Sequence, residues 1–505
     1  MTNLYTRISQ RFPADRSRAF ATFTDRAPFS YADLEARSAA FANVLVARGV
    51  APGDRVAVQA DKSIDMLMLY LGTVRAGAIF LPLNTAYTAH ELDYFMRDAR
   101  PALFVCATGK RAEIAALAAE AGVPCVEDLD QQGGGSLSLA ADAAAQAFAT
   151  VEREDDDLAA ILYTSGTTGR AKGAMLSHAN LLSNALTLRE YWRFEEEDVL
   201  LHALPIFHTH GLFVATNIVL AAGASMIFLP QFDLEAVLRL LPQASVMMGV
   251  PTFYIRLLGD ARFTAEVAAD MRLFISGSAP LSADIHREFR ERTGHAILER
   301  YGMTETNMNT SNPYDGERVA GTVGLPLPGV SVRITDQDSG APLGVGEIGM
   351  IEVSGPNVFQ GYWQMPEKTA AEFHDGWFMT GDLGLVDQRG YVSIVGRAKD
   401  LIISGGYNIY PAEVESVLDE LPMVHETAII GVPHPDMGEG VVAVIVAREP
   451  GFADEQSVMS TIGDRLARFK QPRRIFFVAE LPKNAMGKVQ KNVLRDAYSG
   501  SFKAD

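Results

Sequence analysis

Between Phe29 and about Leu240 the chain alternates two hydrophobic patterns. Long blocks such as YADLEARSAAFANVLVARGV, from Tyr31, space apolar residues at helical intervals, whereas RVAVQA, AIFLPL and ALFVCA are short and almost continuously apolar. Strands separated by helices predict parallel sheets with crossover helices. Beyond Gly321 the texture changes to short alternating runs, VSVRITD, GMIEVSG and GYVSIVG, broken by glycine, proline and aspartate. That pattern predicts an antiparallel meander or small barrel.

After GRAKDLIISGGYNIYP the tail reads as helix PAEVESVLDEL, strands ETAIIGV and GVVAVIVA, helix SVMSTIGDRLARF and strand RIFFVA. This is enough for a small α+β unit, with its boundary near Arg397 to Asp400. The stretch DQQGGGSLSLAADAAAQAF reads as a flexible surface connection. GLFVATNIVLAAGASMIFL approaches the length of a membrane span, but Thr216, Asn217 and the break at Gly223 to Ser225 divide it, so it is expected to be buried core. The fold class is α/β: a large N-terminal unit of parallel-rich sheets with helices and a barrel-like part, then a smaller α+β unit.

At 505 residues the chain exceeds the usual size of one hydrophobic core, which leaves room for a cleft between units. Its 44 basic and 62 acidic residues give a net charge of −18, arguing against nucleic acid or an anionic membrane as the main partner. An anionic ligand must then be held by local donors. Cys106 and Cys125 are the only cysteines, too few for a disulfide scaffold and without metal-ligand spacing, which suits a reducing cytoplasm. The N-terminus offers no continuous apolar segment of the signal-peptide kind.

Local chemistry concentrates in YTSGTTGRAKG, Tyr163 to Gly173, directly after the strand-like LAAILY. Its small residues allow backbone N–H groups and hydroxyls to converge on phosphate oxygens, and Lys172 adds charge. The spacing is not that of a P-loop, because Gly173 follows Lys172 where Ser or Thr is required. The stretch resembles the signature loop of the adenylate-forming superfamily of acyl-CoA synthetases, luciferases and adenylation domains. SGSAPL, YGMTE, TGD, GRAKD and PKNAMGK follow in that family's order and cover most of the chain.

The resemblance implies ATP and Mg²⁺ in a first half-reaction and coenzyme A in a second. It further implies an N-terminal domain over residues 1–396, a hinge over 397–400 at Lys399, and a lid domain over 401–505. Thr164, Ser165, Gly166, Thr167, Thr168, Gly169, Lys172, Glu299, Arg300, Tyr301, Asp382 and Arg397 are implied in nucleotide binding. Thr304 and Glu305 are implied at the phosphates, with Glu305 the magnesium ligand, a role one carboxylate can fill for a hard octahedral ion. Lys488 is the implied catalytic lysine, bridging carboxylate and α-phosphate as charge develops. Gly405, Gly406 and Tyr407 are expected along the coenzyme A tunnel. Arg465, Arg468, Lys470, Arg473 and Arg474 form a basic run that reads as a solvated helix end or as a contact for coenzyme A phosphates.

The choice of acid must come from residues between these motifs. In GVPTFYIRLLGD, Pro251 can open a helix that is apolar on nearly every side except Arg256, so the helix is expected to be largely buried. A guanidinium there must reach water, pair with an internal acid or face a ligand carboxylate. In similar enzymes this segment borders the acyl pocket, which implies that Arg256 holds a second carboxylate. Gly277, Ser278, Met303 and His208 are expected at the same pocket; His208 reads equally as a core histidine or a gate. The expected acid is malonate, with methylmalonate open because one methyl discriminates weakly. Rival readings are an adenylation enzyme loading a carrier protein and a non-catalytic nucleotide sensor. A lysine acyltransferase acting on Lys488 is a further expected partner.

Overall fold

The computed structural model describes residues 3–164, 171–404, 407–435, 437–449, 454–462, 465–466, 468–484 and 487–502. Four sheets organise it. The largest runs, in order, through Leu325–Pro326, Asn307–Ser311, Leu298–Met303, Leu273–Ser276, Val246–Gly249, Val199–His202, Ser225–Phe228, Ala19–Thr22 and Phe29–Ser30. Its six central strands, Leu298–Met303 to Ala19–Thr22, are parallel and antiparallel strands close both edges. The parallel arrangement therefore begins before Phe29 and extends past Leu240, further in both directions than the hydrophobic pattern marked out.

A second sheet orders Val126–Leu129, Leu103–Ala107, Arg55–Gln59, Ile79–Pro82, Leu158–Thr164 and Lys172–Ser177. Every neighbour is parallel except the last two strands, which pair antiparallel from Leu158 with Ser177 to Thr164 with Lys172. The strand before the signature loop and the strand after it are thus one hairpin. No crossover separates them, and the loop is held at both ends by a paired ladder.

Buried strands need apolar residues on both faces. RVAVQ and LAAILYT accordingly bury almost every position. GLFVATNIVLAAGASMIFL is core, as its breaks indicate: a wide π-type turn over His210–Thr216 runs into helix Asn217–Ala222 and strand Ser225–Phe228. No helix among the described residues is long and apolar enough to cross a membrane. The glycine-rich stretch departs from expectation. Helix Ser136–Asp142 buries Leu137 and Ala141, and Ser138 Oγ donates to Asp65 Oδ2 at 2.6 Å, so it is packed structure and not a loose connection.

The barrel-like part is a five-stranded antiparallel sheet of Ser331–Thr335, Gly349–Ser354, Trp377–Val386, Phe373–His374 and Val392–Arg397. Arg397 ends its last strand, a single 3-10 turn covers Ala398–Asp400, and the C-terminal sheet begins at Ile402–Ser404. That sheet adds Tyr407–Ile409, Gly438–Ala447, Val424–His434 and Arg474–Val478. Helices Pro411–Asp419 and Glu455–Ile462 cover its apolar face, with Val414, Leu418, Val458 and Ile462 all fully buried.

Candidate active site

Strand Leu298–Met303 divides the site in two, because successive side chains on a strand point to opposite faces. Tyr301 faces the antiparallel sheet, where its hydroxyl donates to Asp382 Oδ2 at 2.6 Å. Arg397 Nε approaches the other oxygen, Oδ1, at 2.8 Å, so both oxygens of this buried carboxylate are engaged. Glu299, on the same face as Tyr301, is buried, and burial pushes its carboxyl up to about 8 against a backbone N–H from Gly321. Arg300, between them, points the other way.

Arg300 is 3 % exposed, and its Nε and Nη2 are sealed from solvent with no hydrogen-bond partner among the described residues. Burial pulls its guanidinium down to about 9, with little help from Tyr254. A Cβ on Gly277 would lie 2.4 Å from Arg300 Cζ, so only glycine lets this side chain pass beneath the loop. The next residue, Ser278, has φ of 72°, and its Oγ lies 3.2 Å from His210 Nδ1. His210 Nε2 is likewise buried and unpartnered.

The segment carrying His208, Thr209 and His210 is fixed from two sides. Lys62 Nζ lies 3.0 Å from His202 Nδ1 and donates to the His202 carbonyl at 2.9 Å, while His202 Nε2 lies 2.9 Å from the Gly211 carbonyl. Thr209 Oγ1 donates to Asn307 Oδ1 at 2.7 Å, tying the segment to the strand that follows YGMTE. His208 packs on Phe207, its Nε2 has no partner among the described residues, and burial pulls it down to about 4. It is therefore neutral at physiological pH.

At the other end, Thr164 and Lys172 close the hairpin as a cross-strand pair. Ser165, Gly166, Thr167, Thr168 and Gly169 lie outside the described residues, as do Gly405 and Gly406. Tyr407 is described as backbone, at the start of its strand. Thr304 and Glu305 occupy the turn between Met303 and Asn307, with Met303 and Thr304 half-buried. Glu305 is buried; burial pushes its carboxyl up, opposed by a backbone N–H, the Tyr362 hydroxyl and Lys172. A buried carboxylate so thinly compensated suits a cation.

Lys488 lies in a tight turn. Asn484 N donates to the Lys488 carbonyl, Gly487 N to the Asn484 carbonyl, and Lys488 N to Asn484 Oδ1 at 3.0 Å. Ion pairs of Lys483 with Glu426 at 2.8 Å and of Lys491 with Glu415 at 2.6 Å flank the turn. A Cβ on Gly487, where φ is 73°, would lie 3.4 Å from Thr252 Cγ2 on helix Pro251–Leu258, so the turn rests on the N-terminal part of the chain. Lys488 is exposed as a residue, while crowding around its amine, then the Arg397 guanidinium, pulls it down to about 8. Asp382, Lys399 and Asp400 also surround it electrostatically. Asp400 pairs with Arg495 of the last helix.

One sequence expectation needs correction. Helix Pro251–Leu258 buries Pro251, Tyr254, Leu257 and Leu258, leaving Ile255 and Arg256 exposed, so it is half-buried and not largely buried. Arg256 is exposed on this helix. Two residues from Tyr254 is more than half a helical turn, and its guanidinium sits 5.9 Å from the Phe232 ring on the side shared with Thr252. Strand alternation turns Arg300, expected among the nucleotide residues, away from Tyr301 and towards the Gly277–Ser278 loop and His210. In the basic run, Arg465 and Lys470 are paired with Glu420 and Glu413.

The two halves of this cleft, with a lysine turn delivered from the C-terminal sheet, define an AMP-binding enzyme. The family model described as AMP-binding enzyme matches residues 7–363, that for the AMP-binding enzyme C-terminal domain matches 413–488, and the chain belongs to this adenylate-forming family as an acid–CoA ligase. ATP-bound MatB from Rhodopseudomonas palustris superimposes with a TM-score of 0.97 at 60% identity, covering 99% of this chain and 100% of that one. The same protein in its apo form gives 0.86 at equal identity and coverage. A malonate–CoA ligase of Arabidopsis thaliana is 36% identical over 88% of this chain and 78% of its own length. A feruloyl-CoA synthase from Amycolatopsis is 37% identical over 93% and 94%.

Proposed function

We propose that this ligase activates malonate. The observation that carries the choice is Arg300: a buried guanidinium with two unpartnered nitrogens, beside Ser278 and His210, is a costly arrangement that an incoming carboxylate would repair. A fatty or aromatic acid offers nothing to that charge. In malonate one carboxylate would meet Arg300 while the other, one methylene away, faces the nucleotide.

In the first half-reaction that free carboxylate attacks the α-phosphate of ATP, forming the acyl-adenylate and releasing pyrophosphate. In the second, the coenzyme A thiol gives up its proton, its sulfur attacks the acyl carbon, and AMP leaves. Asp382 accepts the ribose hydroxyls, Arg397 stands beside it, and Tyr301 borders the adenine. The signature loop with Thr164, Lys172 and Thr304 holds the phosphates. Glu305 would hold Mg²⁺, which when bound neutralises charge on the phosphate oxygens.

Lys488 would bring its ammonium against the reacting carboxylate and α-phosphate when the lid, residues 401–505, closes on the cleft, a pose that the approach of Gly487 to Thr252 supports. Rotation about residues 397–400, with Lys399 at their centre, would withdraw it and bring the Gly405–Gly406–Tyr407 segment to the cleft for the thiol. The higher likeness to ATP-bound than to apo MatB supports the first pose. The reactive-site placement and lowered basicity of Lys488 also suit a lysine acyltransferase as regulator. Free thiols at Cys106 and Cys125 fit a cytoplasmic setting.

Pyrophosphate release across a panel of acids, with and without coenzyme A, tests the reading. Malonate should lead, methylmalonate should follow, and acetate, fatty and aromatic acids should trail. Preference for a monocarboxylic acid would overturn it.

A further inference from the structure

The described residues leave one ion pair in the nucleotide half that no step above uses. Lys172 Nζ donates to Glu372 Oε1 at 2.9 Å, and both side chains are largely shielded from solvent. The same oxygen lies 2.8 Å from Lys368 Nζ, one helical turn earlier and more exposed. The second oxygen of Glu372 accepts the Tyr362 hydroxyl at 2.6 Å, and that hydroxyl lies 3.0 Å from Glu305 Oε1. The Tyr362 ring sits 4.1 Å from the Lys172 ammonium.

Tyr362 is held firmly in this position. Its segment runs beside strand Lys172–Ser177, with Met175 N donating to the Gly361 carbonyl at 2.9 Å and Trp363 N to the Gly173 carbonyl at 2.7 Å. Thr369 Oγ1 accepts the Tyr362 N–H at 2.9 Å.

Counting charges and protons gives the arrangement a direction. Two ammonium groups share one carboxylate oxygen, so either can leave without stranding Glu372. A phenol has one proton for two carboxylates, and the shorter contact assigns it to Glu372. Glu305 then keeps an oxygen with a weak partner, free for another occupant.

We propose that Glu372 is the resting counter-ion of Lys172, competing with nucleotide phosphate for its ammonium. It holds the ammonium beside Tyr362 until a phosphate takes it. Lys368 stays behind to cover the carboxylate. The proposal rests on the reading of Lys172 as a phosphate ligand.

Calorimetric titration of the full chain with Mg·ATP, without acid, tests it. Glu372→Gln removes the competitor and should tighten ATP binding roughly threefold to tenfold. In a Lys172→Met background the same change should alter the affinity less than about twofold, since the effect acts through the lysine. Lys368→Met, at an exposed position, should weaken ATP binding about twofold to fivefold by making release of Lys172 costlier. A structural defect would not tighten binding. Weaker binding in Glu372→Gln, or equal tightening in both backgrounds, overturns the counter-ion role. If Lys172→Met alone leaves ATP affinity unchanged, the reading of Lys172 as a phosphate ligand fails first and takes the proposal with it.

Discussion

The two ends of the cleft handle positive charge in opposite ways. At the nucleotide end each cation already has an acid: Lys172 has Glu372, and Arg397 has Asp382. Arg300, proposed for the acyl end, is more deeply buried, with no acid paired to it among the described residues. A paired cation can be lent to a phosphate and recovered, so the nucleotide end can stand empty at little cost. On the proposed assignment, an unpaired buried guanidinium makes the empty acyl end unfavourable, and that cost becomes selectivity when the right carboxylate arrives.

The largest expected effect lies where the ends meet. Lys488→Ala should slow adenylate formation about a thousandfold while thiolation of supplied malonyl-adenylate continues. Equal losses in both half-reactions would remove the lysine from the junction. The ammonium is the active form and its pKa is drawn down to about 8, so the first half-reaction should fall as pH rises through that value instead of near 10.5. A pH profile of pyrophosphate release showing no loss until the ordinary lysine range would contradict the crowding seen around the amine.

Stability separates the two arginines next. Arg397→Met leaves Asp382 short of a partner and should lower unfolding free energy by about 1–3 kcal/mol. Arg300→Met removes an unpaired charge and should leave the thermal midpoint unchanged or higher. If both variants melt early, Arg300 has an internal partner and the contrast collapses. The smallest effect belongs to Arg256→Ala: from its exposed place, kcat/KM for malonate should change less than about tenfold. A larger loss there than at Arg300 would give the acid-binding role to the helix.

Much of this was legible in the sequence because it rests on local signals. Helix-and-strand alternation gave the parallel sheets, the glycine-punctuated runs gave the antiparallel part, and the ordered motifs gave the family. The periods of strand and helix also assign faces. Alternation along Leu298–Met303 sets Arg300 against Tyr301, and helical spacing sets Arg256 against Tyr254. A motif read as a string of letters hides which face each letter occupies. Other features had no local signal: the contacts of Glu372 with Lys172, Tyr362 with Glu305, and Lys62 with His202 join residues far apart in the chain. The glycine-rich stretch misled because composition suggested mobility, whereas Leu137 and Ser138 dock on the core.

The ratio of kcat/KM for malonate to that for propionate, measured in the wild type and in Arg300→Met, is the most direct test. The account predicts that the ratio collapses by about a hundredfold or more, chiefly through lost malonate use, in a variant that melts no earlier than the parent. An unchanged ratio, with both acids affected alike, would show that Arg300 does not read the second carboxylate.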